Sequence, residues 1–156
     1  MNGIDLPSLL MLVGRGLEEY VVSRLREQGY AQVRVSHGYV FQRLLVATPT
    51  ISELALDLGI TQQGASKSVA ELESLGYVER RVAGHDNRVR TVHLTDQGRL
   101  TIGAARAARA EFLDRLGQVV SADDLAGATR TAEAAASLLG LDQAIAGRSV
   151  RLPPED

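Results

Sequence analysis

The sequence predicts a mainly α-helical chain with one small β-hairpin, and three observations carry that reading. Apolar residues recur at helical spacing through most of the 156 residues. Capping residues and glycines punctuate those stripes, with Thr50 and Thr61 ahead of them and Gly59 and Gly76 behind. One segment, Val78 to Leu94, instead alternates β-branched and charged residues around Gly84-His85-Asp86-Asn87, a run of turn formers.

Taken in order, Leu6, Leu9, Leu10, Val13, Leu17, Val21 and Leu25 form a long apolar stripe, predicting a helix from about Leu6 to Gln28. Ser36 is read as the cap of a second helix carrying Val40, Phe41, Leu44 and Leu45. Thr50-Ile51-Ser52-Glu53 is a capping box, in which the hydroxyl and the carboxylate satisfy each other's orphan backbone donors. Behind it, Ile51, Leu54, Ala55 and Leu58 make one apolar face, and Gly59 stops the helix. Thr61 caps the next helix, with Ala65, Val69, Leu72 and Leu75 as its stripe and Gly76 as its end. Two capped helices joined by a glycine turn form a helix-turn-helix unit. After the hairpin, Thr95 starts a helix running to about Val120, with Phe112, Leu113, Leu116 and Val119 on its later turns. Ser121 caps another, marked by Leu125, Ala128, Ala132, Ala135 and Leu139. Arg148 to Asp156, with Pro153-Pro154, reads as a flexible tail.

The second helix of the helix-turn-helix has an informative polar side. Thr61, Gln62, Gln63, Ser66 and Lys67 crowd its N-terminal half, outside the apolar stripe. Gln bonds an adenine edge bidentately, Lys reaches guanine or phosphate, and a helix N-terminus attracts phosphate. An ordinary solvated helix face has the same composition, so the hairpin decides. Arg80, Arg81, Arg88 and Arg90 decorate it, and Asp86 lies two residues from Arg88, where its carboxylate can steady the guanidinium. An arginine carried on a hairpin fits the narrow, A/T-rich minor groove, where the potential is most negative. A helix shaped for a groove beside a basic hairpin is what a winged helix-turn-helix uses to grip duplex DNA.

The order helix-turn-helix, Leu75-Gly76-Tyr77-Val78-Glu79-Arg80, Asp86-x-Arg88, then Leu94-Thr95-x-x-Gly98 resembles the MarR family of bacterial transcriptional regulators. The motifs cover about Thr50 to Arg99, while length and helix order agree over roughly the whole chain. The chain departs at Asn87, where a second basic residue is frequent in that family. The resemblance implies a winged helix-turn-helix over about residues 36–99, flanked by dimerisation helices at about 6–28 and 100–147, all in one domain spanning 1–147. It implies a homodimer whose reading helices meet successive turns of a pseudo-palindromic operator, acting as a repressor. Helix inventory agrees, since there is more amphipathic helix than one small winged helix can cover. Relatives in that family often bind small aromatic acids between the dimerisation helices and the winged unit. Tyr20, Arg24, His37, Tyr39 and Arg43 are the candidates here, because an anionic aromatic or phenolic effector wants cations and ring faces.

Composition narrows the rest. At 45% hydrophobic and 23% charged residues, this is the make-up of a globular protein. No run approaches a membrane span and no secretory signal opens the chain, so a cytoplasmic protein without a membrane partner is expected. Zero cysteines excludes disulfides, zinc-thiolate sites and thiol-based oxidant sensing. The net charge of −2 opposes nucleic-acid binding, but Arg80 to Arg99 holds five arginines against Asp86 and Asp96, a local +3. Chemistry is thinly provided for. Gly64-Ala65-Ser66-Lys67-Ser68 lacks the final glycine of a nucleophile elbow, and Gly14-Arg15-Gly16 lacks a third glycine for a dinucleotide site. His37, His85 and His93 have no metal-binding spacing, so neither metal, cofactor nor catalysis is expected. The alternative is a winged-helix protein-interaction module that does not bind DNA, disfavoured by Lys67, Arg88 and the Gln62/Gln63 pair.

Overall fold

The computed structural model describes residues 3–30, 32–82 and 89–146. Helices α1 (Leu6–Glu27), α2 (Val35–Leu44), α3 (Ile51–Leu58) and α4 (Gln62–Ser74) lead to an antiparallel hairpin of β1 (Val78–Val82) and β2 (Arg90–Leu94). Helices α5 (Asp96–Gly117), α6 (Ala122–Leu138) and α7 (Asp142–Ala146) follow. The predicted wing tip (His85, Asp86, Asn87 and Arg88) and the tail at 148–156 lie outside the described residues.

Local chemistry sets most element boundaries. The Thr50 hydroxyl accepts from Glu53 N at 3.3 Å while the Glu53 carboxylate accepts from Thr50 N at 2.8 Å, so α3 opens on its capping box. Those bonds favour the ionised carboxyl and hold Glu53 below the usual carboxylate range. Gly59 closes α3 at φ 69°, a conformation that an L side chain strains to adopt. The Ser121–Asp124 box opens α6 in the same way. Ser36, by contrast, is not a cap. The cap lies two residues earlier, at Arg34, whose backbone N–H donates to Nδ1 of His37 at 3.3 Å. A histidine three residues into the helix takes the part that Glu or Gln plays in a capping box, which leaves Ser36 inside the first turn.

The core joins the hairpin to the helices. Leu54, Leu58, Val69, Leu72 and Val92 are essentially inaccessible, and Phe41 meets Tyr77 edge-on with ring centroids 6.0 Å apart. Pro49 adds a backbone contact that the hairpin pattern did not show, because its carbonyl accepts from Val92 N at 2.9 Å and Thr50 bridges to Thr91. α1 packs along α5, clamped by a two-pronged contact in which Arg24 donates to both oxygens of Glu111, the shorter at 2.8 Å.

The tightest junction lies where α4, the hairpin and α5 converge. The Thr95 hydroxyl donates to the Gly76 carbonyl at 2.6 Å and accepts from Gly98 N at 3.1 Å, while Thr95 N donates to the Tyr77 carbonyl at 3.1 Å. A Cβ at Gly98 would sit 2.1 Å from that same Tyr77 oxygen. The motif Leu94-Thr95-x-x-Gly98 is therefore a packing requirement: the threonine ties two elements, and the glycine lets the helix seat on backbone.

Gly98→Ala is expected to lower unfolding free energy by about 2–3 kcal/mol, the cost of overpacking a site where the obstacle is backbone. Thr95→Ala should cost about 1 kcal/mol as a lost helix cap, and more if the Gly76 carbonyl is left without a donor. Urea unfolding of both variants checks this, and a wild-type midpoint for Gly98→Ala would contradict the geometry.

Candidate nucleic-acid interface

Helix α4 is anchored on one side and open on the other. Ala65, Val69 and Leu72 are buried against α3 and β1, while the Thr61 hydroxyl accepts from Gly64 N at 3.0 Å to begin the helix. A side chain at Gly64 would press its Cβ to 3.2 Å from that hydroxyl, so the glycine keeps the cap uncrowded. Gln62, Gln63 and Lys67 are exposed and Ser66 is half-buried. Gln62 Nε2 donates to Ser52 Oγ at 2.6 Å, which ties its amide to α3. Among the described residues, Gln63 makes no side-chain hydrogen bond and Lys67 no salt bridge. Their polar groups are exposed, with their hydrogen-bonding capacity unspent on the described residues.

The hairpin arginines divide into different environments. Arg80 turns toward α4: its backbone N–H donates to Glu73 Oε1 at 3.2 Å, and its guanidinium Nε lies 3.6 Å from Glu73 Oε2. Two of its nitrogens are buried without a hydrogen-bond partner among the described residues, so Arg80 secures the strand to the helix through charge and packing. Arg81 is more exposed and donates to Glu79 Oε1 at 2.8 Å. Arg90 is exposed opposite Val82 at the open end of the ladder. Asp86 and Arg88 lie outside the described residues.

A second concavity, of about 330 Å³, opens between α1, α2 and α5. Its walls are largely apolar, through Leu17, Val21, Val22, Phe41 and Ile102, with polar groups that include Glu18, Arg34, Tyr39, Gln42, Thr101 and Arg109. Of the five residues proposed for an effector, Tyr39 alone lines it, its hydroxyl donating to Glu18 at 3.2 Å. Burial, with Glu18 nearby, raises the Tyr39 phenol above its ordinary value. Tyr20 packs on Phe112 with centroids 5.5 Å apart, Arg24 is held by Glu111 and Glu27, and Arg43 pairs with Asp57. His37 is buried on the far side of α2's first turn, facing Arg34 and Glu71. Sequence reasoning passed over Arg109, which forms no salt bridge among the described residues and is pushed below its ordinary value by partial burial and then by Arg106. The spacing of Ile102, Ala105 and Arg109 places all three on one side of α5, a signal that was available in the sequence.

Residues 43–88 match a sequence model described as the MarR family. An uncharacterized HTH-type transcriptional regulator, YdgJ of Bacillus subtilis (strain 168), is 34% identical over 73 residues, which are 47% of this chain and 44% of that protein. The chain thus spans less than half the length of the curated relative it matches. Among solved structures, the YusO protein from Bacillus subtilis superposes with a TM-score of 0.68 at 19% identity, over 82% of this chain and 89% of that one. Wild-type MarR from E. coli gives 0.67 at 18% identity, over 86% and 98%. FabT of Streptococcus pneumoniae, solved in complex with DNA, gives 0.64 at 19% identity, over 83% and 93%. The chain has the MarR fold. The resemblance read from the motifs is shown, and the MarR architecture is the expected one: mainly α, with a winged helix-turn-helix between N- and C-terminal helices. Among the described residues, no helix of this MarR-like chain is long and apolar enough to cross a membrane.

Because Gln63 has no hydrogen-bond partner among the described residues, Gln63→Ala is expected to change unfolding free energy by no more than about 0.5 kcal/mol. Ala65→Asp, which places a carboxylate in the fully buried stripe of the same helix, should abolish cooperative unfolding. A large loss for Gln63→Ala in a denaturant titration would mean that its amide supports the fold.

Proposed function

We propose that this chain is a sequence-specific DNA-binding transcriptional regulator, a repressor that acts as a homodimer on a pseudo-palindromic operator. The observation that carries the reading is the exposed face of α4. Among the described residues, Gln63 makes no side-chain hydrogen bond and Lys67 no salt bridge, on a helix fixed from behind by Ala65, Val69 and Leu72. Rigid backing with unspent polar groups in front is what base reading requires, since order is supplied before DNA arrives. Thr61, Gln62 and Ser66 complete the reading face, with Gln62 also braced against Ser52. Arg81, Arg88 and Arg90 supply wing charge, with Arg88, steadied by Asp86, as the minor-groove probe; Arg80 acts mainly by holding β1 to α4.

Support for the homodimer comes from apolar surface that the single chain leaves uncovered. Met11 and Leu12 on α1 are 73% and 58% exposed, and Leu138 and Leu139 at the end of α6 are 89% and 73% exposed. No residue of α6 is buried, so that helix lacks a hydrophobic reason to hold its place within one chain. A two-fold partner meeting α1, α6 and α7 supplies that reason. Release by a small anionic aromatic effector is the finer part of the reading. The cavity between α1, α2 and α5 has the size of a small-molecule site, and Tyr39 and Arg109 offer a ring and a cation to such a ligand.

Gln63→Ala should weaken binding to a duplex enriched from a random-sequence pool by about 1–3 kcal/mol and relax base choice at one position. Lys67→Ala should lower the dependence of affinity on salt by about one phosphate. Equal loss for Gln63→Ala on every duplex would recast it as a backbone contact, and no enrichment at all would favour a winged helix that binds protein instead. In sedimentation at micromolar concentration the chain should run at twice 16.7 kDa; a monomer that still binds DNA tightly would contradict the homodimer.

A further inference from the structure

His37 is a buried titratable group that the DNA-reading proposal leaves unused. It is 1% exposed, on the first turn of α2, at the only place where an ion pair links α2 to α4 among the described residues. Its Nδ1 accepts from Arg34 N at 3.3 Å, and because that backbone group can only donate, the ring proton sits on Nε2. Nε2 lies 3.7 Å from Glu71 Oε2 and 3.4 Å from Arg34 Nη2. Arg34 closes the cluster by donating to the same Glu71 oxygen. Glu71 belongs to α4, one turn beyond Lys67 and between the buried Val69 and Leu72. Arg34 also lines the cavity between α1, α2 and α5, so the cluster runs from that cavity's wall to the helix proposed to read DNA.

We propose that His37, Arg34 and Glu71 form a proton-sensitive strap that holds α4 against the start of α2, and that charging His37 loosens the helix that meets DNA. The proposal rests on the reading of α4 as the recognition helix. Protonating Nδ1 removes the acceptor for Arg34 N and sets two N–H groups against each other, which uncaps α2. It also puts an imidazolium where no water reaches, beside the Arg34 guanidinium. Glu71 opposes both effects through attraction to the charged ring. The groups facing His37 are Arg34 from its own helix start and Glu71 from α4; α1, α3 and β2 bring no charged group within ion-pair distance of it among the described residues.

Burial dominates, followed by Glu71 pulling the other way and Arg34 reinforcing, and the sum lowers the His37 pKa below its ordinary 6.5. The unfolded chain therefore binds the proton more readily than the folded one. Stability from the neutral ring is fully present above the ordinary histidine value and is lost as pH falls toward the folded value. Acid should loosen the strap, and alkali should leave it closed.

The test compares wild type, His37→Asn and Glu71→Gln at about pH 7.5 and about pH 5.5, conditions that bracket an ordinary histidine. Asn keeps an acceptor for Arg34 N but does not titrate, and Gln keeps the shape of Glu71 without its charge. Amide hydrogen exchange of residues 62–74, corrected for intrinsic rates and referenced to α6, reads the strap directly. Affinity for a duplex enriched from a random-sequence pool reads its effect on DNA. Wild type should lose on the order of tenfold in α4 protection and in affinity on acidification, the ratio that one pKa unit of linkage gives. His37→Asn should be nearly independent of pH, and Glu71→Gln should exchange faster in α4 at both pH values. His85 and His93 are present in all three proteins, so their titration cancels in the comparison. His37→Asn retaining the wild-type pH dependence, or Glu71→Gln retaining wild-type exchange in α4, would overturn the strap. If wild type enriches no duplex, the DNA reading fails and the exchange data still decide the strap. Should His37→Asn not fold, the ring titration of His37 by NMR in wild type and Glu71→Gln replaces it: a His37 that titrates at its ordinary value in wild type contradicts the proposal.

Discussion

The seating of Gly98 on the Tyr77 carbonyl is the contact on which the rest of the structure depends. At that point the end of α4, the start of β1, the end of β2 and the start of α5 share a few backbone groups and one threonine hydroxyl. Gly76 supplies the turn, at φ 77°, that sends the chain from helix to strand. Thr95 then binds the returning strand to that turn and caps α5 in the same act. Because a hydrogen-bonded backbone junction has few ways to give, the direction of α4 is fixed relative to the long helix that follows. The hairpin is short, and two strands alone are marginal in water; it persists because Val78, Val92 and Leu94 bury their side chains against helices meeting at this joint.

From that joint the division of labour in α4 follows. Its inner face is committed to the core, and Glu71 and Glu73 on its flanks are committed to Arg34 and Arg80. What is left uncommitted lies near the N-terminus, at Gln63 and Lys67, where the helix dipole is also positive. Other acidic residues are consumed in similar internal pairs among the described residues: Glu27 and Glu111 on Arg24, Asp57 on Arg43, Glu79 on Arg81. Net charge is thus a poor guide to the surface offered to a phosphate backbone, and the distribution of pairs is the better one.

Local signals in the sequence proved legible wherever a single residue type solved a single backbone problem. Thr50 with Glu53, Thr61, Gly59, Gly76, Thr95 and Ser121 each marked an element end, and each is seen acting there. The start of α2 was misplaced because histidine is an uncommon capping partner, and Ser36 looked like the better candidate. Contacts between distant residues carried no sequence signal. Arg24 and Glu111, or Arg34 and Glu71, come together only through the packing of whole helices, so a cation such as Arg24 could not be recognised as already occupied. The same reason explains the cavity. Tyr39 was legible as an aromatic near charge, whereas Arg109 required knowing that α5 crosses α1 at that height.

In the proposed homodimer, the apolar surfaces of α1, α6 and α7 meet those of a second copy, and the polar faces of two α4 helices are held at a spacing fixed by the long helices between them. A hydroxyl-radical footprint on a duplex enriched by the protein from a random-sequence pool tests that arrangement most directly. It predicts two protected windows about 10 base pairs apart, one turn of B-DNA, related by the symmetry of the enriched sequence. A single protected window, or none at low salt, would contradict it.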